Sequence, residues 1–167
     1  MNIFDVHIKN GEVIDGTGAP KFKSDIVINK GKIIGIFPAE NGDVRDPSEN
    51  HFLSNFRAKH TINAENKIIS PGFIDVHTHD DDNVFLDPSM SSKISQGVTT
   101  CVAGNCGISL APFSYKGEVP APIALLGKSE VFRFPRVSNY KEEFNNKPSS
   151  VNLALLTGHS MLRLEAM

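Results

Sequence analysis

The sequence predicts an α/β protein in which a small sheet or half-sandwich, residues 1–70, precedes the first βα units of a parallel barrel, residues 71–167. The first part holds short alternating apolar runs separated by turn-forming dipeptides, which is typical of β-structure. The second part alternates strands with helical segments, and each strand ends in a polar or glycine-rich tip, as in parallel α/β folds. A closed (β/α)₈ barrel takes roughly 250 residues, so we expect only its first units here.

Composition and charge exclude several classes of function. The 167 residues carry 17 basic and 19 acidic side chains, a balance that offers no basic surface for nucleic acid or an anionic membrane. No apolar run approaches the roughly 20 residues of a membrane helix, and the chain does not start with the apolar segment of a signal peptide. Two cysteines are too few for a disulfide scaffold. We therefore expect a soluble, cytoplasmic protein with no nucleic-acid or membrane partner.

In the first part, glycine-containing dipeptides separate the predicted strands. The Asn-Gly pair at 10–11 and the Lys-Gly pair at 30–31 lie between alternating apolar runs, and both predict tight hairpin turns. Residues 39–60 are polar and rich in turn formers, so we expect a loop there. The stretch 60–70 returns to a strand pattern, with a turn near 65–66.

In the second part, strand and helix patterns alternate. In chain order the predicted elements are a strand over 73–79, a helix over 88–96 that Gly97 ends, a strand over 98–106, a short apolar helix near 122–126, a helix over 138–147 capped by Ser138, and a strand over 149–160. This succession indicates parallel βα units, whose active sites lie at the carboxyl ends of the strands.

Two histidines mark the end of the first of these strands, in the stretch PGFIDVHTHDD. Because side chains alternate along a strand, His77 and His79 should point to one face, where they can reach a single cation. Two histidines that cap a strand through hydrogen bonds to carbonyl groups would give the same pattern. The motif alone leaves both interpretations open.

A cysteine follows the second strand, in the stretch GVTTCVAGNCG. If the two strands are parallel neighbours, their carboxyl ends lie about 5 Å apart. A Cys106 thiolate there would complete a nitrogen and sulfur ligand set, which favours zinc. The alternative is a buried cysteine that acts as a small apolar residue, and Cys101, in the middle of the strand, fits that alternative.

Several motifs occur in a characteristic order along the chain: GEVIDGTG, PGFIDVHTHDD, QGVTTCVAGNCGISLAP, FRFP and VNLALLTGHSMLR. Together they resemble the N-acyl-D-amino-acid deacylases, or D-aminoacylases, of the amidohydrolase superfamily. The resemblance runs from about Asp5 to Arg163 and is interrupted between about 41 and 59. The combination of HTHDD with GNCG is the most specific part. Most relatives, such as dihydroorotases and hydantoinases, bridge their metals with a modified lysine, whereas this family places a cysteine there.

The resemblance implies a small β-sandwich segment followed by the first strands and helices of an incomplete amidohydrolase-type (β/α)₈ TIM barrel. It implies zinc as the cofactor, with His77 and His79 lining a weaker metal position and Cys106 binding the tightly held ion. The family's catalytic aspartate and two further histidines would lie beyond Met167, so no catalytic residue is expected within this chain. A complementing carboxyl-terminal portion would supply them.

The activity that the resemblance implies is zinc-dependent hydrolysis of the amide bond of N-acyl-D-amino acids. The products would be a carboxylate and a free D-amino acid. In such an enzyme the metal activates water for attack on the amide carbonyl, and the aspartate transfers the proton to the leaving amine.

Other polar side chains near the predicted strand ends are candidates for the pocket or for contacts behind the metal ligands. His159, in the stretch TGHS, lies at the third strand tip, where the family also has a histidine; a structural hydrogen bond is the alternative. Asp80 and Asp81 could orient the two metal histidines as acceptors, or form a solvated acidic loop. Arg133 could bind a substrate carboxylate, or simply lie at the surface.

Two functions other than deacylation stay open. The first is another amidohydrolase that acts on cyclic amides, similar to dihydropyrimidinase, which a lysine motif further along the chain would indicate. The second is a non-catalytic remnant that binds a metal but turns nothing over. The missing ligands and base favour the second for these 167 residues alone, so we expect the chain by itself to be inactive.

Overall fold

A computed structural model of the protein describes residues 2–38 and 56–167. The chain divides into two compact units, Met1–Pro71 and Gly72–Met167. Each unit has a sheet of its own.

The first unit is one mixed sheet of five strands. Its strands are β1 (Asn2–Val13), β2 (Phe22–Asn29), β3 (Lys32–Pro38), β4 (Phe56–Asn63) and β5 (Ile68–Ile69). The order is β3-β2-β1-β4, and β5 also pairs with β1. β1 is antiparallel to β2 but parallel to β4 and β5, so this unit is more than a succession of hairpins.

One of the two predicted hairpin turns is confirmed and the other is wrong. Lys30 and Gly31 form the turn between β2 and β3, with φ values of 49° and 72°. Asn10 and Gly11 instead lie inside β1, where the register against β2 shifts. Asn10 has a positive φ of 64° in this bulge. Its N–H donates a hydrogen bond to Asp25 Oδ1 at 2.9 Å. The Asn-Gly pair therefore bends the strand and does not reverse it.

The polar stretch 39–60 is not one loop. Residues 39–55 lie outside the described part of the chain, but β4 begins at Phe56 and pairs with β1. β4 is an edge strand whose side chains are mostly exposed. Phe56, Ala58 and Ile62 alternate with polar residues along β4, and Phe56 packs against the ring of Phe4 at a centroid distance of 5.4 Å. The predicted turn near 65–66 is confirmed, because it separates β4 from β5.

The second unit is built on a parallel sheet. In chain order it contains β6 (Phe73–Asp75), α1 (Asn83–Leu86), α2 (Ser91–Ile94), β7 (Val98–Ala103), β8 (Phe113–Ser114), β9 (Arg133–Phe134), α3 (Val137–Asn146), β10 (Asn152–Leu155) and α4 (His159–Ala166). The order β10-β7-β6 and the parallel pairing of both neighbours confirm the predicted strand arrangement. The hairpin of β8 and β9 is an addition that the sequence did not predict.

All three predicted strands of this unit are shorter than expected. The first ends at Asp75 and not at 79, because Asp75 Oδ1 accepts the His77 N–H at 3.2 Å. The second ends at Ala103, where Gly104 takes a φ of 80°. The third spans only Asn152–Leu155, and α4, which has no counterpart among the predicted elements, follows three residues later.

The predicted helices are only partly confirmed. The helix expected over 88–96 consists of the single turn α2, which ends at Ile94 with Ser95 as its C-cap. Gly97, with a φ of 79°, closes the turn that follows and does not itself end the helix. The apolar helix near 122–126 is a 3₁₀ turn at Ile123–Leu125. The predicted cap at Ser138 is wrong, because α3 begins one residue earlier after extended Arg136. Within 2–38 and 56–167, no helix combines the length and apolarity needed to cross a membrane.

The core of the second unit is aromatic. Tyr140 is buried and packs edge-on against the rings of Phe134 and Phe85, at centroid distances of 5.0 and 5.1 Å. By contrast, Ile74 of β6 is 61% exposed and Val76, just after this strand, is 68% exposed. The sheet therefore packs against the core on one face and leaves apolar side chains uncovered on the other.

Candidate metal centre

The parallel pairing of β6 and β7 brings two chemically distinct loops together. Ile74 pairs with Thr100 and Asp75 pairs with Cys101. His77 and His79 follow β6 and Cys106 follows β7, so all three candidate ligands lie at the carboxyl ends of neighbouring strands.

The three side chains converge. One ligand atom each from His77, His79 and Cys106 lie within 4.8 Å of one another. His77 Nε2 lies 3.0 Å from Cys106 Sγ, and the two imidazole rings have their centroids 5.8 Å apart at 73°. His77 and Cys106 are exposed, while His79 is half-buried with its Nδ1 buried and without a hydrogen-bond partner among the described residues.

The Cys106 loop is held by hydrogen bonds from the neighbouring residue. The Asn105 side-chain amide donates to the Val102 carbonyl at 2.7 Å and to the Thr78 carbonyl at 3.5 Å. The Ile108 N–H donates to the Asn105 carbonyl at 3.0 Å. Asn105 therefore ties the Cys106 loop to the segment that carries the histidines. Its place beside the cysteine in GNCG is the only hint that the sequence offers of this role.

A third loop, after β10, packs against the Cys106 loop. The Gly158 N–H donates to Ser109 Oγ at 2.9 Å, and the Ser160 N–H donates to the Gly107 carbonyl at 2.9 Å. A Cβ at Gly158 would lie 2.6 Å from that Gly107 oxygen, so only glycine allows this approach. His159 lies in the same loop region but is exposed at the start of α4, and it is not a member of the cluster of ligand atoms.

Asp80 does not contact the histidine rings. Its carboxylate accepts hydrogen bonds from Thr78 Oγ1 and from Asn83 Nδ2, and it forms an ion pair with Lys93 at 2.9 Å. Lys93 also binds Asp75 Oδ2 at 2.7 Å. Hydrogen bonding to Asp75 raises the pKa of Lys93, and the same contact lowers the pKa of Asp75. The predicted role of Asp80 as a direct acceptor for a metal histidine is not seen.

Asp81 is a buried carboxylate. Its side chain is fully buried, and neither carboxylate oxygen has a hydrogen-bond partner among the described residues. Burial raises the pKa of Asp81, although the nearby backbone N–H groups of Gly104 and Leu110 and the charge of His79 act in the opposite direction. Asp81 is thus not the solvated acid of an exposed loop.

Arg133 is engaged in contacts within the unit. Its guanidinium lies 2.8 Å from Glu143 and 3.4 Å from Asp82. It also stacks over the Phe134 ring at 4.5 Å. The Glu143 contact links β9 to α3, and the Asp82 contact links β9 to the start of α1.

The donor set fits zinc. Two imidazole nitrogens and one thiolate are ligands that Zn²⁺ prefers. Ligand atoms on one tetrahedral zinc ion lie about 3.3 to 3.8 Å apart, given zinc–ligand bonds of about 2.0 to 2.3 Å. The 4.8 Å limit on this cluster requires only small side-chain rotations to reach such spacing.

Proteins to which this chain is similar include deacylases. D-aminoacylase from Alcaligenes xylosoxydans xylosoxydans is 39% identical over 165 residues, which cover 98% of this chain and 31% of that protein. N-acyl-D-glutamate deacylase from Bordetella bronchiseptica, in complex with zinc and a phosphonate inhibitor, matches with a TM-score of 0.84 and 40% identity, over 99% of this chain and 32% of that one. D-aminoacylase, studied for its binuclear metal center, matches with a TM-score of 0.83 and 43% identity, over 98% of this chain and 31% of that one.

The model of a protein family matches more than half of this chain. The chain spans about a third of the length of these relatives, and their named activities belong to the longer proteins. The model of the Amidohydrolase family matches residues 60–167, which include all three clustered ligands. The chain therefore belongs to the amidohydrolase family.

Proposed function

We propose that this chain is the amino-terminal part of a metal-dependent hydrolase that cleaves the amide bond of N-acyl-D-amino acids to a carboxylate and a free D-amino acid. The convergence of His77, His79 and Cys106 within 4.8 Å is the observation that carries the proposal. The similarity to D-aminoacylase and to N-acyl-D-glutamate deacylase supports the substrate class.

The proposal extends to the cofactor and the architecture. Zinc is the proposed ion. In this chain the three side chains would share one ion, whereas in the longer enzyme Cys106 would bind the tightly held ion and the two histidines would line a weaker position. A zinc ion bound there would act as a Lewis acid on the amide carbonyl and lower the pKa of water. Residues 1–70 are assigned to a β-sandwich segment and 71–167 to the first βα units of a TIM barrel. Both cysteines are free thiols, which fits the proposed cytoplasmic location.

Each ligand must be deprotonated to bind the ion. Cys106 would bind as a thiolate, and the two histidines as neutral imidazoles. The hydrogen bond from the Asn105 side chain and the close approach of Gly158 to Gly107 hold the Cys106 loop in place. The general base is proposed to come from a complementing carboxyl-terminal portion, because the cluster in the described residues includes no carboxylate.

A second candidate is a metal-binding chain without turnover. The same observation favours it, since three ligands without a clustered carboxylate can hold an ion but offer no general base. The two candidates share the metal site and differ only in whether further residues complete it.

Metal titration tests the site directly. The 167-residue chain, stripped with a chelator, is titrated with cobalt(II), which gives a thiolate-to-metal absorption band in the near ultraviolet when sulfur is a ligand. We expect the band in the unaltered chain and its loss in Cys106→Ala. His77→Ala should bind zinc more weakly than the unaltered chain but retain more zinc than Cys106→Ala.

Cys101→Ala is the matched control. It removes the other thiol, which is buried in β7, and should leave the cobalt band in place. Absence of the band in the unaltered chain, or equal binding by Cys106→Ala, would show that this cluster is not a metal site.

A further inference from the structure

Lys93 bridges the chain on both sides of the two histidines. Its ammonium lies 2.7 Å from Asp75 Oδ2, 2.9 Å from Asp80 Oδ2 and 3.3 Å from Thr78 Oγ1. Asp75 precedes His77 and Asp80 follows His79. One positive charge therefore holds both ends of the segment that carries the rings.

The Lys93 cluster, defined as Lys93, Asp75, Thr78 and Asp80, is largely shielded from solvent. The Lys93 side chain is 22% exposed, and those of Asp75 and Asp80 are 29% and 18% exposed. An ordinary surface ion pair contributes little, since water and salt screen it. A partly buried cation with two carboxylates and a hydroxyl is a network, in which each contact restricts the others.

The cluster also restrains the backbone between the two acids. Asp75 uses its second oxygen to accept the His77 N–H at 3.2 Å. Thr78 donates its hydroxyl to Asp80, and its N–H donates to the Val102 carbonyl at 3.2 Å. Thr78 is 6% exposed, so this residue is buried while the rings on either side of it reach Cys106.

We propose that Lys93 is a positioning residue for the metal centre, which holds the His77–His79 segment in the conformation that brings both rings to Cys106. The proposal rests on the proposed function, since it concerns the same three ligands. The hydrogen bonds and ion pairs of Lys93 in the described part of the chain go to the residues around the two histidines. It acts through Asp75, Thr78 and Asp80.

A purely structural role would have different consequences. If Lys93 only anchored the short helix α2, its loss would lower the stability of the unit without a particular effect at the histidines. If it positions the histidines, its loss should first loosen the backbone at His77 and Thr78. Amide hydrogen exchange separates the two roles, because each N–H reports its own hydrogen bond.

The test compares Lys93→Met with the unaltered 167-residue chain in two measurements. By NMR of the metal-free protein, we expect the His77 and Thr78 amides to exchange about tenfold faster, while the Leu156 amide, bonded to the Ala103 carbonyl at 2.9 Å, keeps its rate. By cobalt(II) titration, we expect affinity to fall about 10- to 100-fold, the usual cost of losing a contact behind a metal ligand.

Three variants complete the design. Lys141→Met removes an exposed lysine on α3 and should change neither measurement. Lys93→Arg keeps the charge and should recover part of both losses. Asp80→Asn removes one anion with little change of shape, and if Lys93→Met does not fold it should show the same pattern in milder form.

The outcomes are distinct. Unchanged exchange at His77 and Thr78, or equal acceleration at Leu156, overturns the positioning role whatever the metal does. Unchanged cobalt affinity alongside faster exchange overturns it too, because the loosened segment would then not matter to the ligands. If the unaltered chain binds no cobalt, the proposed function fails, and the exchange rates alone decide whether Lys93 holds this segment.

Discussion

Cys106 has a backbone conformation that its side chain disfavours. Its φ is 55°, in the left-handed region that suits glycine, and its thiol is exposed. Neither burial nor local conformation therefore explains a cysteine at this position. A residue kept against its backbone preference is typical of functional sites, which supports the assignment of Cys106 as a ligand.

The conformation of Cys106 predicts an unusual ranking of two variants. Cys106→Gly should be more stable than Cys106→Ala by about 1 kcal/mol, because the left-handed region costs a residue with a Cβ about 1 to 2 kcal/mol, and glycine avoids that cost. Both variants should lose the metal. Urea unfolding with a chelator present measures the difference.

Cys101 provides the reference for this ranking. It lies in β7 and is not among the residues with positive φ. There glycine should be less stable than alanine, because glycine weakens a strand interior. If glycine were also the less stable replacement at 106, the left-handed conformation of Cys106 would not be the cause.

Asp81 is a second residue whose placement opposes stability. A buried carboxylate without a hydrogen-bond partner among the described residues is unfavourable in its charged form, which is why burial raises its pKa. Such carboxylates concentrate near functional sites. Asp81 lies two residues from His79 in the sequence, so this unfavourable burial occurs next to a candidate metal ligand.

At the scale of the elements, Tyr140 links α3 to the segment that follows His79. The Tyr140 hydroxyl donates to the Asp81 carbonyl at 2.6 Å, and the ring is buried between Phe85 and Phe134. Burial is the main cause that raises the pKa of Tyr140, and the charges of Asp81 and Asp82 add to it. The hydroxyl must therefore stay protonated for this anchor to hold.

The anchor predicts a loss of stability at alkaline pH. An unfolded tyrosine has a pKa of about 10, and the folded value is higher, so the folded state binds the proton more tightly. The contribution is complete below about pH 10 and is lost as pH rises further. Tyr140→Phe should lower the free energy of unfolding by about 1 kcal/mol at pH 8, because the hydrogen bond is lost. Between about pH 10 and 11, this variant should lose less additional stability than the unaltered chain.

Tyr115 is the matched control, since the chain has only two tyrosines and this one is exposed. Tyr115→Phe should unfold like the unaltered chain at both pH values in urea titrations. If the stabilities of Tyr140→Phe and of the unaltered chain fell equally above pH 10, other titrating groups would be the cause of the alkaline loss of stability.

At the scale of the whole molecule, the cluster of candidate ligands in residues 2–38 and 56–167 includes no carboxylate that could act as a base. The three clustered groups are two imidazoles and a thiol. Apolar side chains such as Ile74 and Val76 also lie uncovered beside them, although a substrate site requires water to be excluded. The described residues thus bring together three groups that could hold an ion, and the cluster includes no carboxylate.

We therefore expect no deacylase turnover from the purified 167-residue chain. Mass-verified protein with added zinc is incubated with N-acetyl-D-glutamate, N-acetyl-D-aspartate and a neutral N-acetyl-D-amino acid, and release of the free D-amino acid is measured. Turnover that Cys106→Ala abolishes would disprove this expectation. Turnover that persists in Cys106→Ala would indicate a contaminating enzyme, because the altered chain lacks the proposed ligand.

Local chemistry let the sequence predict the features that depend on a few neighbouring residues. The turn at Lys30 and Gly31 and the turn at Gly97, between α2 and β7, contain positive φ values that favour glycine. The parallel strand order follows from alternating strand and helix patterns. The pairing of the two histidines with Cys106 follows from strands whose carboxyl ends share one edge.

Contacts between distant residues decided the rest. The Asn-Gly pair at 10–11 became a bulge because Asp25, from another strand, accepts the Asn10 N–H. β4 forms in a polar stretch because it pairs in parallel with β1. The cluster of His77, His79 and Cys106 could be predicted from the sequence, but the Lys93 cluster could not. Its members depend on how a helical turn packs beside a strand end, and hydrogen bonds of this kind leave no periodic pattern in the chain.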